Sequence, residues 1–327
     1  MINDVLHGIK TIQIRAKTNY PIVSAYEFEF LKSEAEIQAL LKPCTIYFIL
    51  QRPLLYFQNV RTNGELTFEI TDYSSTEPLK CTFDPSVNGF GELGEELLID
   101  VQFYKKDPDA QPPYNDVAAL KIRKLDEHFL GWFSPAKFLY DYLSGRIQAD
   151  VQGQIDAYLD YTVHYIGKSF SQDIWRRLTG HHKMQRILTL EEPMSSKSSR
   201  APFEISLMML DIDGFEERNL FPFFESALDL GIEPILHEFN ADDDESFSNY
   251  YDPKLAPRAP ELTSEVEGLL VSTFKPKYNE VLFDNYPNLS KGTRSAGYTK
   301  SSLLIERMPA ILRTEHHTQE LVLPDDV

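Results

Sequence analysis

The stretch Tyr161-Thr162-Val163-His164-Tyr165-Ile166-Gly167 has the composition of a β-strand, because β-branched and aromatic residues fill most of its positions. Ile174, Leu178 and Ile187 follow with the spacing of one apolar helix face. We therefore predict a strand and then a helix over residues 172–188. This pair of elements indicates an α/β arrangement in the second half of the chain.

The first third of the chain has a different residue pattern. Short stretches of β-branched and aromatic residues alternate with turn-formers at spacings of roughly eight to twelve residues, which is typical of a β-sandwich or barrel. We predict an all-β domain here and interpret it as a recognition or assembly module, where a second copy of the chain or a protein partner would bind. The predicted strands are residues 11–14, 22–30, 45–50, 54–60, 66–70, 81–83, 97–104 and 118–122.

The remaining segments mix helices, strands and loops. Ser134-Pro135 begins one predicted helix, and a second is predicted over residues 149–159. A strand at 203–210 and a helix at 263–274, which Lys275-Pro276 ends, complete the pattern. The fold class is α+β, an N-terminal all-β domain followed by a C-terminal α/β domain. The predicted segments are the β domain 1–132, a helical connector 133–157, the α/β domain 158–290 with an insertion at about 215–263, and a C-terminal extension 291–327.

The charge of the chain restricts its partners. Fifty acidic and 32 basic residues give a formal net charge of -18, so the chain as a whole repels a phosphate backbone. A nucleic-acid site must therefore be a local basic patch. Residues 164–187 form such a patch, since Asp173 is their one acidic residue. Their basic residues are Lys168, Arg176, Arg177, Lys183 and Arg186.

Composition excludes several other classes. A hydrophobic share of 42% with 12% aromatic residues is too high for a disordered chain. No apolar run approaches the roughly 18 residues of a membrane span, and the first residues lack a basic segment followed by an apolar one. Cys44 and Cys81 are the only cysteines, which fits a reducing compartment. We therefore expect a cytoplasmic protein with no membrane partner.

Four local features occur in a fixed order along the second half. Tyr165-Ile166-Gly167-Lys168 ends the predicted strand, Arg177 and His181 lie on the next helix, and a third strand follows. The last feature is the run from Glu267 to Asn279, which contains Lys275-Pro276-Lys277-Tyr278. Together these features resemble the GIY-YIG nuclease superfamily over about 158–288. The resemblance implies a nuclease domain that acts on DNA rather than RNA, in phage defence, in a mobile element or in repair.

The resemblance also implies a role for each matching residue. Tyr165 would be the base that deprotonates water, with Lys168 assisting. Glu267 would hold one Mg²⁺ or Mn²⁺, and Arg177, with its neighbour Arg176 as a rival, would bind the scissile phosphate. His181 and Asn279 would position water or phosphate. The additional residues that we expect to bind substrate are Arg176, Lys183, Arg186 and Lys277.

These residue types suit phosphodiester hydrolysis. The negative charge of a phosphodiester repels nucleophiles and its leaving alkoxide is poor, so the site needs positive charge, a metal and a base. The planar guanidinium of arginine can hold two phosphate oxygens at once. Mg²⁺ keeps several waters and needs few protein carboxylates. An unperturbed phenol titrates near about 10, so a nearby cation must stabilise the phenolate of Tyr165.

One part of the family pattern is missing. Members normally carry Gly-Ile-Tyr on a first strand about ten residues before the second motif, whereas this chain has Ile155-Asp156-Ala157-Tyr158. By simple alternation Tyr161 would share the strand face of Tyr165, but too far along the strand to replace the missing residue. The first strand is either highly divergent or supplied from elsewhere in the chain. The alternative function is therefore a catalytically inactive module that binds nucleic acid or protein.

Overall fold

The computed structural model of the protein is rich in β-sheet and has few helices, which agrees with the predicted α+β class. None of the helices in the described part of the chain has the length and apolarity needed to cross a bilayer. The residues that the structure describes are 6–31, 33–62, 65–72, 77–92, 94–105, 109–169, 174, 178, 182–191, 203–220, 237–239, 259–296, 298, 300–305, 308 and 310–321.

The first sheet has nine strands and is drawn from both ends of the chain. Its order is β13-β1-β12-β3-β11-β15-β16, while β14 pairs with β1 and β2 pairs with β12. The pairs β1–β14 and β11–β15 are parallel, and the other pairs are antiparallel. The strands are β1 (Leu6–Thr18), β2 (Val23–Ser24), β3 (Cys44–Pro53), β11 (Asp160–Lys168), β12 (Phe203–Leu220), β13 (His237–Phe239), β14 (Lys300–Ile305), β15 (Ile311–Arg313) and β16 (Thr318–Gln319).

The second sheet has seven strands that follow one another between β3 and β11. Its order is β10-β6-β5-β4-β8-β7, and β9 pairs with β8. All of its pairs are antiparallel. The strands are β4 (Tyr56–Arg61), β5 (Leu66–Thr71), β6 (Leu79–Phe83), β7 (Leu97–Phe103), β8 (Val117–Lys124), β9 (Phe129–Phe133) and β10 (Asp150–Gln152).

Five α-helices and two short 3-10 helices are described. The longest, α5, has Pro260 in its first turn and ends where Lys275 takes the left-handed conformation. Its start and end agree closely with the helix predicted over residues 263–274. The helices are α1 (Ala25–Leu31), α2 (Ala35–Leu41), α3 (Pro135–Leu143), α4 (His182–Leu190) and α5 (Pro260–Phe274), and the 3-10 helices are Ile155–Tyr158 and Thr293–Ala296.

Strand β3 lies in the middle of the first sheet and is buried on both faces. Its side chains alternate between two apolar cores, as the pleat requires. Ile46, Phe48 and Leu50 point to the core that contains α5, and we call this face of the sheet the α5 side. Tyr47 and Ile49 point to the other core, and we call that face the Tyr47 side.

The two sides are covered by different elements. Helix α5 packs on the α5 side through residues that recur every third or fourth position, such as Leu262, Val266 and Leu269. The Tyr47 side is covered by α1, α2 and α4, and the described side chains of Ile174 and Leu178 are buried there as well. Of the helix predicted over residues 172–188 the structure describes Ile174, Leu178 and the part in α4, and the predicted apolar residues Ile174, Leu178 and Ile187 all lie on the Tyr47 side.

The strand pairing crosses the boundary that we predicted at residue 132. Strands β1 and β3 come from the predicted N-terminal segment but pair with β11 and β12, which come from the predicted α/β segment. The C-terminal segment adds β14 and β15 to the same sheet. The pattern of a single segment cannot reveal such pairing, because the partners lie far apart in the sequence. Where the chain divides into domains stays a prediction.

Two local predictions are wrong. Residues 149–159 were predicted to be helical, but β10 occupies Asp150–Gln152 and a 3-10 helix occupies Ile155–Tyr158. Pairing of β10 with β6 overrides the helical pattern there. Residues 22–30 were predicted as one strand, but only Val23–Ser24 is extended and α1 follows it. Ser24 and Glu27 bond reciprocally to each other's backbone N–H, which is the capping box that begins this helix.

Aromatic rings fill the core of the second sheet. The Phe138 ring of α3 is 1% exposed and makes edge-to-face contacts with Phe68, Phe83 and Phe133, at centroid separations of 4.9, 5.8 and 6.0 Å. Such arrangements are favoured over parallel stacking of the rings. Phe138 therefore anchors α3 to this sheet.

We expect Phe138→Ala to lower the free energy of unfolding by about 3–5 kcal/mol, because it leaves a cavity among buried rings. The control is Phe129→Ala, since Phe129 is 53% exposed and should cost far less. Urea denaturation followed by circular dichroism measures both. Equal losses in the two variants would contradict the assignment of Phe138 as the anchor.

Candidate functional site

Tyr165 lies beside a second tyrosine on the neighbouring strand. Strands β3 and β11 are antiparallel, with Ile49 opposite Tyr165 and Tyr47 opposite Gly167. The rings of Tyr47 and Tyr165 lie on the same side of the sheet, with centroids 6.0 Å apart and planes tilted by 34°. Tyr47 is fully buried, whereas Tyr165 is partly exposed. The sheet thus pairs two phenols at one end of β11.

A bulge at His164 sets the direction of Tyr165. The register shifts by one residue between Val163 and Tyr165, so His164 is an extra residue in β11. Tyr161 and Val163 consequently belong to the core of the α5 side, while Tyr165 packs on the Tyr47 side. The prediction that Tyr161 and Tyr165 share a face is therefore wrong, because it assumed unbroken alternation.

Gly167 allows the two tyrosine rings to approach the backbone of β11. A methyl group at this position would lie 2.6 Å from Cε1 of Tyr165 and 2.7 Å from the hydroxyl oxygen of Tyr47. Neither separation is sterically acceptable, and Tyr47 has no room to move in its buried position. The glycine of the Tyr-Ile-Gly motif is thus required here by the packing of the phenols.

Lys168 and Glu267, both predicted site residues, form an ion pair. The Nζ atom of Lys168 lies 2.8 Å from Oε2 of Glu267 and donates a hydrogen bond of 3.2 Å to the hydroxyl of Ser264. The Lys168 side chain is 39% exposed and the Glu267 side chain 14%. Ser264 and Glu267 are three residues apart on α5 and so lie on one face of the helix. The end of β11 therefore meets α5 through this contact.

The predicted base and the predicted metal ligand lie on different sides of the sheet. Tyr165 packs on the Tyr47 side, while α5, which carries Glu267, packs on the α5 side. Lys168 points toward α5, as its odd separation from Tyr165 requires. The two groups can act on one substrate only around the end of β11, where the sheet no longer separates them.

Asn279 holds the free edge of β11. Its Oδ1 accepts a 3.0 Å hydrogen bond from the N–H of Ile166, and its Nδ2 donates a 2.8 Å hydrogen bond to the Ile166 carbonyl. The N–H of Tyr278 donates to the carbonyl of His164, at 3.1 Å. The segment after α5 therefore pairs with β11 as an additional strand would. Asn279 therefore positions the strand, and its role in positioning water or phosphate stays a prediction.

Tyr278 and its neighbours join this segment to α4. The Tyr278 hydroxyl donates a 2.7 Å hydrogen bond to Oε1 of Glu191, which also accepts one from Lys277. Burial tends to raise the pKa of Glu191, but the bonds from Lys277 and Tyr278 outweigh it and lower that pKa. The guanidinium of Arg186 lies over the Tyr278 ring, 5.7 Å from its centroid. Lys277 and Arg186, two of the predicted substrate-binding residues, thus lie beside the Tyr278 side chain.

Lys183 differs from the other predicted substrate-binding residues. It is 6% exposed and its ammonium group is paired with the exposed carboxylate of Glu280. Its position ties α4 to the segment after α5, so it is less available to a ligand than Lys277 or Arg186. Arg176, Arg177 and His181 lie outside the residues that the structure describes.

His164, the bulged residue, is 5% exposed. Its Nε2 atom lies 2.9 Å from Oε1 of Gln51, and its ring meets the Tyr278 ring edge to face, with centroids 5.9 Å apart. Since the Gln51 oxygen is an acceptor, Nε2 carries the proton and donates. Burial lowers the pKa of His164 below its ordinary value, and the nearby Lys277 adds to this. The neutral imidazole is therefore the form that suits the folded chain.

Tyr47 is the residue that the sequence analysis missed. The pair Ile46-Tyr47 was visible in the sequence as part of the predicted strand 45–50, but it lies far upstream of Tyr165. The first motif was sought about ten residues before the second, and here the whole second sheet lies between the two strands. An Ile-Tyr pair in a buried strand was the signal that could have found it.

The carboxylate of Glu267 suits a metal that takes few ligands from protein. Its Oε2 is paired with Lys168, and Oε1 has no hydrogen-bond partner among the described residues. Within the same residues no group of three or more His, Cys, Asp and Glu side chains could hold a metal ion. This donor set fits a Mg²⁺ or Mn²⁺ that keeps several waters and binds substrate oxygens, and not a site built of protein ligands alone.

No protein-family model matches the chain, and no curated protein or solved structure is significantly similar to it.

We expect Gly167→Ala to lower the free energy of unfolding by about 1–3 kcal/mol, because its methyl group forces apart the buried Tyr47 ring and the partly exposed Tyr165 ring. Gly214→Ala in β12 is the matched control, since nothing lies within 4 Å of the added group. Urea denaturation measures both variants. If Gly167→Ala left the free energy of unfolding unchanged, the close packing of Tyr47 and Tyr165 would be contradicted.

We expect His164 to make stability depend on pH. Because its pKa is lower in the folded chain than in the unfolded chain, the unfolded chain binds more protons, and stability falls as the pH drops below the ordinary value of 6.5. His164→Gln removes this contribution, so the variant should lose less stability than the parent between neutral and mildly acidic pH. Denaturation midpoints across that range provide the measurement. If the denaturation midpoints of the parent and of His164→Gln changed equally with pH, the expectation would be contradicted.

Proposed function

We propose that the chain is a divalent-metal-dependent nuclease that hydrolyses phosphodiester bonds in DNA at the end of β11. The observation that carries the proposal is the pairing of Tyr47 with Tyr165 across adjacent antiparallel strands, beside Gly167. The GIY-YIG resemblance needs a tyrosine on a first strand next to the second motif. Ile46-Tyr47 on β3 supplies that residue from an unexpected part of the chain, which supports the resemblance.

Lys168 and Glu267 provide the charges that hydrolysis needs. Lys168 is partly exposed and can move its ammonium group from Glu267 to a phosphate oxygen of a bound substrate. Glu267 would then hold Mg²⁺ or Mn²⁺ through its carboxylate. When bound, this metal would neutralise charge on the scissile phosphate and favour attack by water.

Tyr165 would take the proton of the attacking water. It is partly exposed on the Tyr47 side, next to the buried phenol of Tyr47. It lies three residues before Lys168 in β11. Substrate would wrap around the end of β11, so that Tyr165 approaches from one side and Lys168 from the other. This geometry differs from a cleft on one face of the sheet.

Basic residues on the Tyr47 side would hold the flanking backbone. Lys277 is 67% exposed and Arg186 is exposed, and both lie around Tyr278. Glu191, the ion-pair partner of Lys277, and the net charge of -18 both oppose phosphate binding. Affinity for DNA should therefore be weak and should fall steeply with added salt.

A second candidate function is a module that binds nucleic acid without cleaving it. The ion pair between Lys168 and Glu267 favours this alternative, because it neutralises the predicted metal ligand. The placement of Tyr165 and α5 on different sides of the sheet favours it too. Such a module would bind DNA through the same basic residues and leave the phosphodiester intact.

Cleavage assays test the proposal. Purified protein is incubated with plasmid DNA, single-stranded DNA and RNA, with Mg²⁺ or Mn²⁺. Tyr165→Phe removes the proton acceptor and Glu267→Gln removes the metal ligand, and each should reduce the rate by about 100-fold or more. Glu261→Gln on the same helix is the matched control, which should cleave like the parent.

The outcomes separate the two candidate functions. Cleavage by the parent and by Glu261→Gln, with loss in both site variants, supports the nuclease. Binding to DNA without cleavage under either metal supports the module. If Tyr165→Phe cleaves as fast as the parent, Tyr165 is not the base and the proposed site is wrong.

A further inference from the structure

A large cleft lies away from β11, between helices α1 and α2 and strands β7 to β9 of the second sheet. Its volume is about 1460 Å³. Ligand pockets commonly measure about 300–1,000 Å³, so this cleft can hold a small molecule together with water. The start of β12, at Phe203, Glu204 and Ile205, closes one end. None of the predicted nuclease residues lines it.

Aromatic side chains form much of the wall on the side of the second sheet. Phe129 is 53% exposed and Tyr104 is 44% exposed, and Trp132 of β9 lies partly exposed in the same wall. Isolated exposed aromatic residues are common, but a group of them in a concave surface marks a site for an apolar ligand. The body of the ligand would lie against these rings.

The basic side chains of the cleft already have partners. Lys137 and Arg146 both contact the carboxylate of Asp141. The ammonium group of Lys121 lies over the Phe129 ring, 5.4 Å from its centroid. Asp141 can balance only one of its two cations, but the five carboxylates that line the cleft outnumber its three basic side chains. The contact of Lys121 with Phe129 shows that a ring of this wall accepts a cation on its face.

Two exposed carboxylates of the cleft have no ion-pair partner among the described residues. Glu34 and Glu36 are exposed at the start of α2, and neither forms an ion pair with any described residue. Glu27 accepts a 2.7 Å hydrogen bond from the N–H of Ser24, and burial and the negative charge of Glu204 raise its pKa. An additional positive charge in the cleft would relieve this repulsion. The unbalanced charge of the cleft is therefore negative.

We propose that this cleft binds a small apolar cation, an aromatic or aliphatic body that carries a protonated amine or a quaternary centre. The body packs against Tyr104, Phe129 and Trp132, and the positive charge is attracted both by the ring faces and by the carboxylates of Glu27, Glu34 and Glu36. This site is independent of the proposed nuclease site, because the two share no residue.

Two probes of equal shape and opposite charge test the proposal. Tetraphenylphosphonium is a cation and tetraphenylborate is an anion, so the difference in their affinities reports on charge alone. Isothermal titration calorimetry on the full chain should find the phosphonium bound at least about tenfold more tightly at low salt, with a smaller difference at high salt. Equal affinities, or tighter binding of the borate, would overturn the proposal.

Variants assign the binding to this cleft. The double change Glu34→Gln with Glu36→Gln should weaken phosphonium binding about threefold or more, whereas Glu315→Gln, an exposed carboxylate outside the cleft, should leave it unchanged. Phe129→Ala should weaken phosphonium binding through lost ring contact. Unchanged affinity in both cleft variants would place the bound phosphonium elsewhere and reject the site.

Discussion

Backbone hydrogen bonds between β3 and β11 join two parts of the chain that the whole second sheet separates. Closing so long a loop costs conformational entropy, although the cost grows slowly with length. Burial of β3 on both faces offsets that cost, because its side chains enter two apolar cores at once. Only this pairing brings Tyr47 next to Gly167 and Lys168. Without it the chain would contain the motifs but no site.

A single extra residue in β11 decides how the candidate site is divided. The bulge at His164 turns Tyr165 toward Tyr47 and, three residues later, Lys168 toward α5. Tyr278 bonds to the backbone carbonyl of the bulged His164, and Asn279 bonds to the backbone of Ile166 on the free edge of β11. The polar groups near the bulge are therefore mostly engaged with each other, so a substrate would have to displace protein contacts to reach them. The proposed function depends on whether phosphate can compete for Lys168.

The sequence predicted local features well and long-range ones poorly. The strand at 161–167 and the helix at 263–274 were found because apolar spacing and a stopping Lys275-Pro276 are local signals. The family resemblance assigned Lys168 and Glu267 to one site, but the sequence did not predict the ion pair between them. Tyr47 was missed because the pattern within a strand does not reveal which distant strand pairs with it. The faces of Tyr161 and Tyr165 were assigned wrongly because bulges obey no simple sequence rule.

The interruption of the first sheet by the second has a consequence for biosynthesis. A ribosome releases β1 and β3 early, yet β11 and β12, their partners, emerge only after all seven strands of the intervening sheet. That intervening sheet can form by itself as it appears, since its strands pair with one another. Until translation passes Lys168 the apolar β3 has neither of its partner strands, and until it passes Leu220 the strand β12 is incomplete, so β3 offers a template for mispairing. Chaperones that shield extended apolar segments would act on the nascent chain during this interval.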